Sequence, residues 1–132
     1  MTPMENGLNN KDATVSDDMI AFYAERAKGG IGLIITEVTR VNDENGVADR
    51  RQLSAAHDKY IPGLKKLADT IHQNGGKIFI QLHHPGRQGF CEVNGNKPMM
   101  APSNIQCNVV HQETREMTTK EAEELVQDFI NA

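Results

Sequence analysis

The sequence predicts an α/β fold with parallel strands. Three features carry that prediction: short apolar runs of strand length, helical apolar stripes between them, and glycine pairs at the junctions. From Ser16 the run Ser-Asp-Asp-Met-Ile-Ala-Phe-Tyr-Ala-Glu-Arg-Ala-Lys predicts a helix, with a serine cap, two acids in its first turn and Gly29-Gly30 as its stop. Ile31-Gly-Leu-Ile-Ile-Thr36 follows at once and does not alternate, which predicts a strand buried on both faces. Asn42 to Arg51 is polar and carries Asn45-Gly46, so it reads as a loop with a turn.

A second helix is predicted over Asp58 to Asn74. Ile61, Leu64, Leu67, Ala68 and Ile71 form one stripe, Pro62 sits in the first turn, and Gly75-Gly76 ends it. Lys77-Ile-Phe-Ile-Gln-Leu82 is the next strand and runs into His83-His84-Pro85-Gly86-Arg87. Residues 88 to 117 are irregular and read as a long excursion with a hairpin. Thr118 and Glu121 then form a capping box ahead of Ala122, Leu125, Val126, Phe129 and Ile130, an amphipathic helix. Met1 to Met4 read as the tail of one further strand, so the chain is expected to begin inside an element and to stop before its last helix is covered.

Composition narrows the function. The chain has 132 residues, enough for one domain. Its formal net charge is −4 with no Lys/Arg stripe, which argues against nucleic acid as a partner. The longest apolar run, Ile31 to Ile35, is far short of a membrane span, and no signal peptide is legible. Cys91 and Cys107 make no CxxC, so reduced thiols and a cytoplasmic location are expected. No metal site is expected, because the spacing of His83, His84, Cys91, Cys107 and His111 is loose and neighbouring strand residues point to opposite faces.

In a parallel α/β fold the residues just after each strand gather on one face. Three groups qualify: Pro3-Met4-Glu5-Asn6-Gly7, Thr36-Glu37-Val38-Thr39-Arg40, and Gln81 through Arg87. Each has a plain structural reading as well. Gln81 could finish its strand by bonding a neighbouring loop, and Glu37 reads as a buried carboxylate paired with a base such as Arg40. His72 reads as a helix-end residue, and the Glu121-Glu123-Glu124 run as a solvated helix face.

The text Gly29-Gly-Ile-Gly-Leu-Ile-Ile-Thr-Glu-Val-Thr39, then Ile61-Pro-Gly-Leu-Lys-Lys-Leu-Ala-Asp-Thr-Ile-His72, then Gln81-Leu-His-His-Pro-Gly-Arg87, resembles the flavin-dependent ene-reductases of the old yellow enzyme and 2,4-dienoyl-CoA reductase group in order and spacing. Ala101-Pro-Ser103 and Met117-Thr118 fit the same pattern. The resemblance covers essentially all 132 residues and implies a partial TIM (β/α)8 barrel, about its first two to three βα units. A whole barrel needs about 250 residues.

The resemblance implies FMN seated at the strand carboxyl ends, NAD(P)H as reductant, and hydride passing through the flavin to an activated C=C of a small unsaturated molecule. Pro3 and Met4 correspond to the stretch whose backbone runs beside the flavin ring. Glu5 stands where relatives often carry a Thr or Cys that tunes the flavin, a departure that touches redox tuning. Val38 is similar to the small residue beside the isoalloxazine, and Gln81 to the amide that bonds its pyrimidine edge. An amide offers a donor and an acceptor together, which suits that edge. Arg87 would stabilise negative charge on reduced flavin, and His83 and His84 belong to the same motif. The substrate-binding His pair, the proton-donating Tyr and the phosphate loops of the family are expected beyond Ala132. The chain alone is therefore expected to be incomplete for catalysis. Two further readings fit the residues: a non-catalytic module that self-associates through open strand edges, and a small metal-binding protein.

Overall fold

The structure is a computed structural model and describes residues 1–132. Helix α1 spans Asp17–Lys28, capped by Ser16, whose hydroxyl accepts from the Met19 N–H at 3.0 Å. The chain leaves α1 through Gly30, whose φ of 91° is open to glycine at little cost. Strand β1 then runs from Leu33 to Arg40. It therefore starts later and extends further than the apolar run suggested, because Val38, Thr39 and Arg40 pair in the sheet although they are not uniformly apolar.

Two residues, Leu53–Ser54, form β2 beside the end of β1. A 3₁₀ turn over Asp58–Tyr60 leads into α2, Ile61–Gln73, with proline in its first turn as expected. Strand β3 covers Lys77–His83 and pairs with β1 from Leu33↔Lys77 to Arg40↔His83. The sheet is parallel throughout, in the order β2-β1-β3. The backbone of Met1 continues the pairing on β1: its amino group donates to Leu33 O at 2.6 Å, and Ile35 N–H donates to Met1 O at 3.1 Å.

The excursion holds a second, two-stranded sheet. Strands β4 (Met99–Ala101) and β5 (Thr114–Glu116) run parallel. The expected hairpin is thus replaced by a crossover, since a hairpin would pair its strands antiparallel. Helix α3, Thr119–Asn131, opens with the capping box read from the sequence: Thr118 Oγ1 accepts from Glu121 N–H, and the Glu121 carboxylate accepts from Thr118 N–H.

Met19, Tyr23 and Ala27 of α1, Leu67 and Ile71 of α2, Ile34 of β1 and Leu53 of β2 make one buried cluster. Burying a side chain of that size stabilises by about 1.5–3 kcal/mol. Burial on both faces of the strands fails, however. Leu33 of β1 is 38% exposed, and on β3 Phe79, Ile80 and Leu82 are 62%, 41% and 36% exposed. For β3 the reason is topological, since it is an outer strand with no neighbour on its far edge. No helix is long and apolar enough to cross a membrane.

Candidate functional site

The carboxyl ends of β1 and β3 form the centre of the site. Between Ile35 and Val38 the register shifts, so that Thr36 and Glu37 together face one residue of β3. This bulge frees two groups from the ladder. Thr36 Oγ1 takes the place of a backbone acceptor for Gln81 N–H at 3.3 Å, and Glu37 N–H donates to Tyr23 Oη at 3.0 Å. Beyond the bulge, Val38 and Gln81 are direct ladder partners. Two residues that stand 43 positions apart in sequence are thereby neighbours.

Gln81 is half-buried, and its carboxamide makes no hydrogen bond within the chain. The plain reading, in which it ties down a loop, does not hold. Glu37 is fully buried, as expected, but it does not pair with Arg40. Arg40 Nε goes to Asp43 Oδ1 at 2.7 Å, where Ser54 and Tyr60 hydroxyls also converge. The carboxylate of Glu37 instead accepts from Asn6 N–H at 2.9 Å through Oε2 and from Asn9 Nδ2 through Oε1. Burial, with Glu5 and Asp49 nearby, holds the Glu37 carboxyl above its usual range. Glu5 is raised too, by partial withdrawal from water and by Asp49.

Pro3 and Met4 precede this anchored loop, and Met4 is 62% exposed. The loop Asn6–Asn9 is fixed by Glu37, by Asn6 Nδ2 on Tyr23 Oη at 3.4 Å and by Leu8 N–H on Asn6 Oδ1 at 2.9 Å. Asn9 was not legible as a site residue from sequence, since an asparagine in a polar loop carries no periodic signal. The only hint was the density of asparagines in Glu5-Asn-Gly-Leu-Asn-Asn10.

The two histidines are set by neutral partners. Gly86 N–H donates to His84 Nδ1 at 3.2 Å, which leaves the proton on Nε2, 3.0 Å from Asn45 Oδ1. Gln52 Oε1 accepts from Ala48 N–H, so its Nε2 faces His83 Nδ1 at 3.3 Å as a donor. Burial pushes both imidazoles below their usual range. Arg87 lies apart from Gln81: it is exposed on the 3₁₀ turn Gly86–Gln88, with its guanidinium 3.5 Å from Ile105 O and beside the Ala101–Ser103 turn. It makes no hydrogen bond to the Pro3–Glu5 stretch, Val38 or Gln81.

The unpaired carboxamide of Gln81 beside the small side chain of Val38 suits a flat ligand that offers donors and acceptors on one edge. The free carboxamide of Gln81, which offers a donor and an acceptor with the small Val38 side chain beside it, fits the pyrimidine edge of a flavin, while Arg87 makes no hydrogen bond to either residue.

Known proteins share this fold. Over its full length the chain is 40% identical to the NADH oxidase of Thermoanaerobacter brockii and spans 20% of that protein. It superposes on the crystal structure of Old Yellow Enzyme from Pichia sp. AKU4542 with a TM-score of 0.85 and 25% identity, over 98% of this chain and 36% of that one. The structure of morphinone reductase in complex with tetrahydroNAD gives a TM-score of 0.90 at 22% identity, a likeness of fold, over 99% of this chain and 39% of that one. The chain thus spans well under half the length of the relatives it matches, and its three-stranded parallel sheet with its helices is a partial barrel of their kind. With residues 1–132 matching the family profile from end to end, the chain belongs to the NADH:flavin oxidoreductase / NADH oxidase family.

Proposed function

We propose that this chain is part of an FMN-dependent NAD(P)H oxidoreductase of the ene-reductase type, and that it supplies one side of the flavin floor. FMN is the cofactor of the family and NAD(P)H its reductant. Bound here, FMN would supply hydride transfer between NAD(P)H and an activated C=C of a small unsaturated molecule. In this reading Gln81 donates and accepts on the pyrimidine edge, Val38 offers a small apolar surface beside it, and the Pro3–Met4 backbone borders the ring. Glu5 adds negative charge on that border, which disfavours a further anion there. Arg87, exposed on the Gly86–Gln88 turn, is the cation of the same motif and would favour negative charge on reduced flavin. Cytoplasmic residence is proposed on the two free thiols, Cys91 and Cys107.

The observation that carries the reading is the free Gln81 carboxamide at the strand end, opposite Val38. A titration of the purified chain with FMN, followed by flavin fluorescence, tests it. Saturable binding that weakens roughly three- to tenfold in Gln81→Ala is expected, the worth of one or two lost hydrogen bonds. Binding indifferent to that substitution contradicts it.

A second reading, self-association, is favoured by one observation: the open edge of β3 presents Phe79, Ile80 and Leu82 to solvent. A second copy of this chain covering that edge would remove its unpaired backbone groups from water.

A further inference from the structure

A buried carboxylate with no cation beside it calls for an explanation, and Glu37 is one. It is fully buried, and no lysine, arginine or histidine lies within ion-pairing distance. The charged and titratable groups around it give no relief. Glu5 and Asp49 are acids on the facing loops, and Tyr23 approaches from α1 with Arg26 one turn further on. The Arg26 guanidinium is turned to Phe22 O at 2.7 Å, and that of Arg51 to Gly7 O at 3.2 Å. An apolar residue would cost less here if packing were the only demand.

We propose that Glu37 is the positioning residue that sets the Pro3–Met4 segment against the Val38–Gln81 pair. It does so by gripping the Asn6 backbone and the Asn9 amide from inside the fold, while the residue after it, Val38, faces Gln81. This assignment rests on the FMN reading for its functional weight.

The geometry has three parts. The bulge turns the Glu37 N–H out of the ladder toward Tyr23 Oη, which also receives Asn6 Nδ2, so one hydroxyl ties helix, strand and loop together. Each carboxylate oxygen then takes one donor from the loop. Finally, Asn9 is 1% exposed, spends its Nδ2 on Glu37 and on Arg51 O at 3.0 Å, and leaves Oδ1 without a partner. An orphaned buried acceptor is costly. It is retained because Asn9 delivers its donor side to the carboxylate.

The grip needs an ionised Glu37, since only the carboxylate accepts through both oxygens with no proton of its own to place. Burial opposes that ionisation, so the grip strengthens as pH rises through a carboxyl pKa that lies above the ordinary range. Protection of the Asn6 amide should then rise with pH over the same interval.

The experiment compares the wild-type chain with Glu37→Gln and Asn9→Ala, using amide hydrogen exchange and FMN titration across pH 5 to 8. In Glu37→Gln the Asn6 amide is expected to lose at least tenfold in protection while the Ile34 amide keeps its own. Asn6 protection is expected to lose its pH step, and FMN binding to weaken at least fivefold at pH 8. Should Glu37→Gln fail to fold, Asn9→Ala, which removes the Nδ2 bonds to Glu37 and to Arg51 O and leaves the Glu37 carboxylate in place, carries the same comparison. Unchanged Asn6 protection in a folded variant overturns the assignment. So does unchanged FMN affinity where Gln81→Ala weakens it. If the wild-type chain binds no FMN, the flavin reading fails by itself, and the Asn6 exchange still decides whether Glu37 holds the segment.

Discussion

Val38 and Gln81 are ladder partners across β1 and β3, and they are so because the bulge at Thr36–Glu37 resets the register between them. An uninterrupted ladder from Ile35↔Phe79 would set Val38 opposite Leu82 rather than Gln81. A one-residue slip reverses the face that every later side chain occupies. The bulge is thus what joins the two strand ends into one site.

The core that supports this register is centred on Ile71, fully buried between the helices and β1. Ile71→Ala should lower the unfolding free energy by about 2–5 kcal/mol, from lost burial and the cavity left behind. Chemical denaturation followed by circular dichroism measures it, and a loss under 1 kcal/mol would mean that this cluster is not the core.

Histidine burial sets an acid limit on stability. The pKa of His84 is lowered in the fold, by burial first and by His83 second, so the fold favours its neutral form. That contribution is present above the ordinary value of 6.5 and is lost as pH falls through it toward the lowered folded value. His84→Gln keeps a donor for Asn45 and carries no titrating group. Thermal melts should therefore fall less for the variant than for the wild type between pH 7 and pH 5, and parallel curves would refute this.

The open edge of β3 should be sticky. Phe79→Lys places a charge on the most exposed large apolar residue of that strand, 62% exposed, and should suppress concentration-dependent association. Sedimentation equilibrium reads this directly. Association of equal strength in the variant would place the contact elsewhere.

Much of the fold is written in local signals. Ser16 and the Thr118–Glu121 box mark helix starts with side-chain chemistry that acts within three residues, and Gly29-Gly30 and Gly75-Gly76 mark the stops. The strands β2, β4 and β5 were not legible, being two or three residues long and defined by partners far along the chain. The exposure of Phe79, Ile80 and Leu82 could not be read either, because an apolar strand looks the same at the centre of a sheet as at its edge. The motif text singles out Val38 and Gln81, and the fold makes them ladder partners. Sequence proximity points Glu37 to Arg40, whereas its partners Asn6 and Asn9 reach it only through the folded loop.

The most direct measurement is the side-chain amide resonance of Gln81, followed by nuclear magnetic resonance in ¹⁵N-labelled chain as FMN is added. A saturable shift of the Gln81 Nε2 protons, with smaller shifts at the Val38 and Met4 amides, is the predicted result. A flavin that binds while Gln81 and Val38 stay unmoved, or that does not bind at all, would contradict the account.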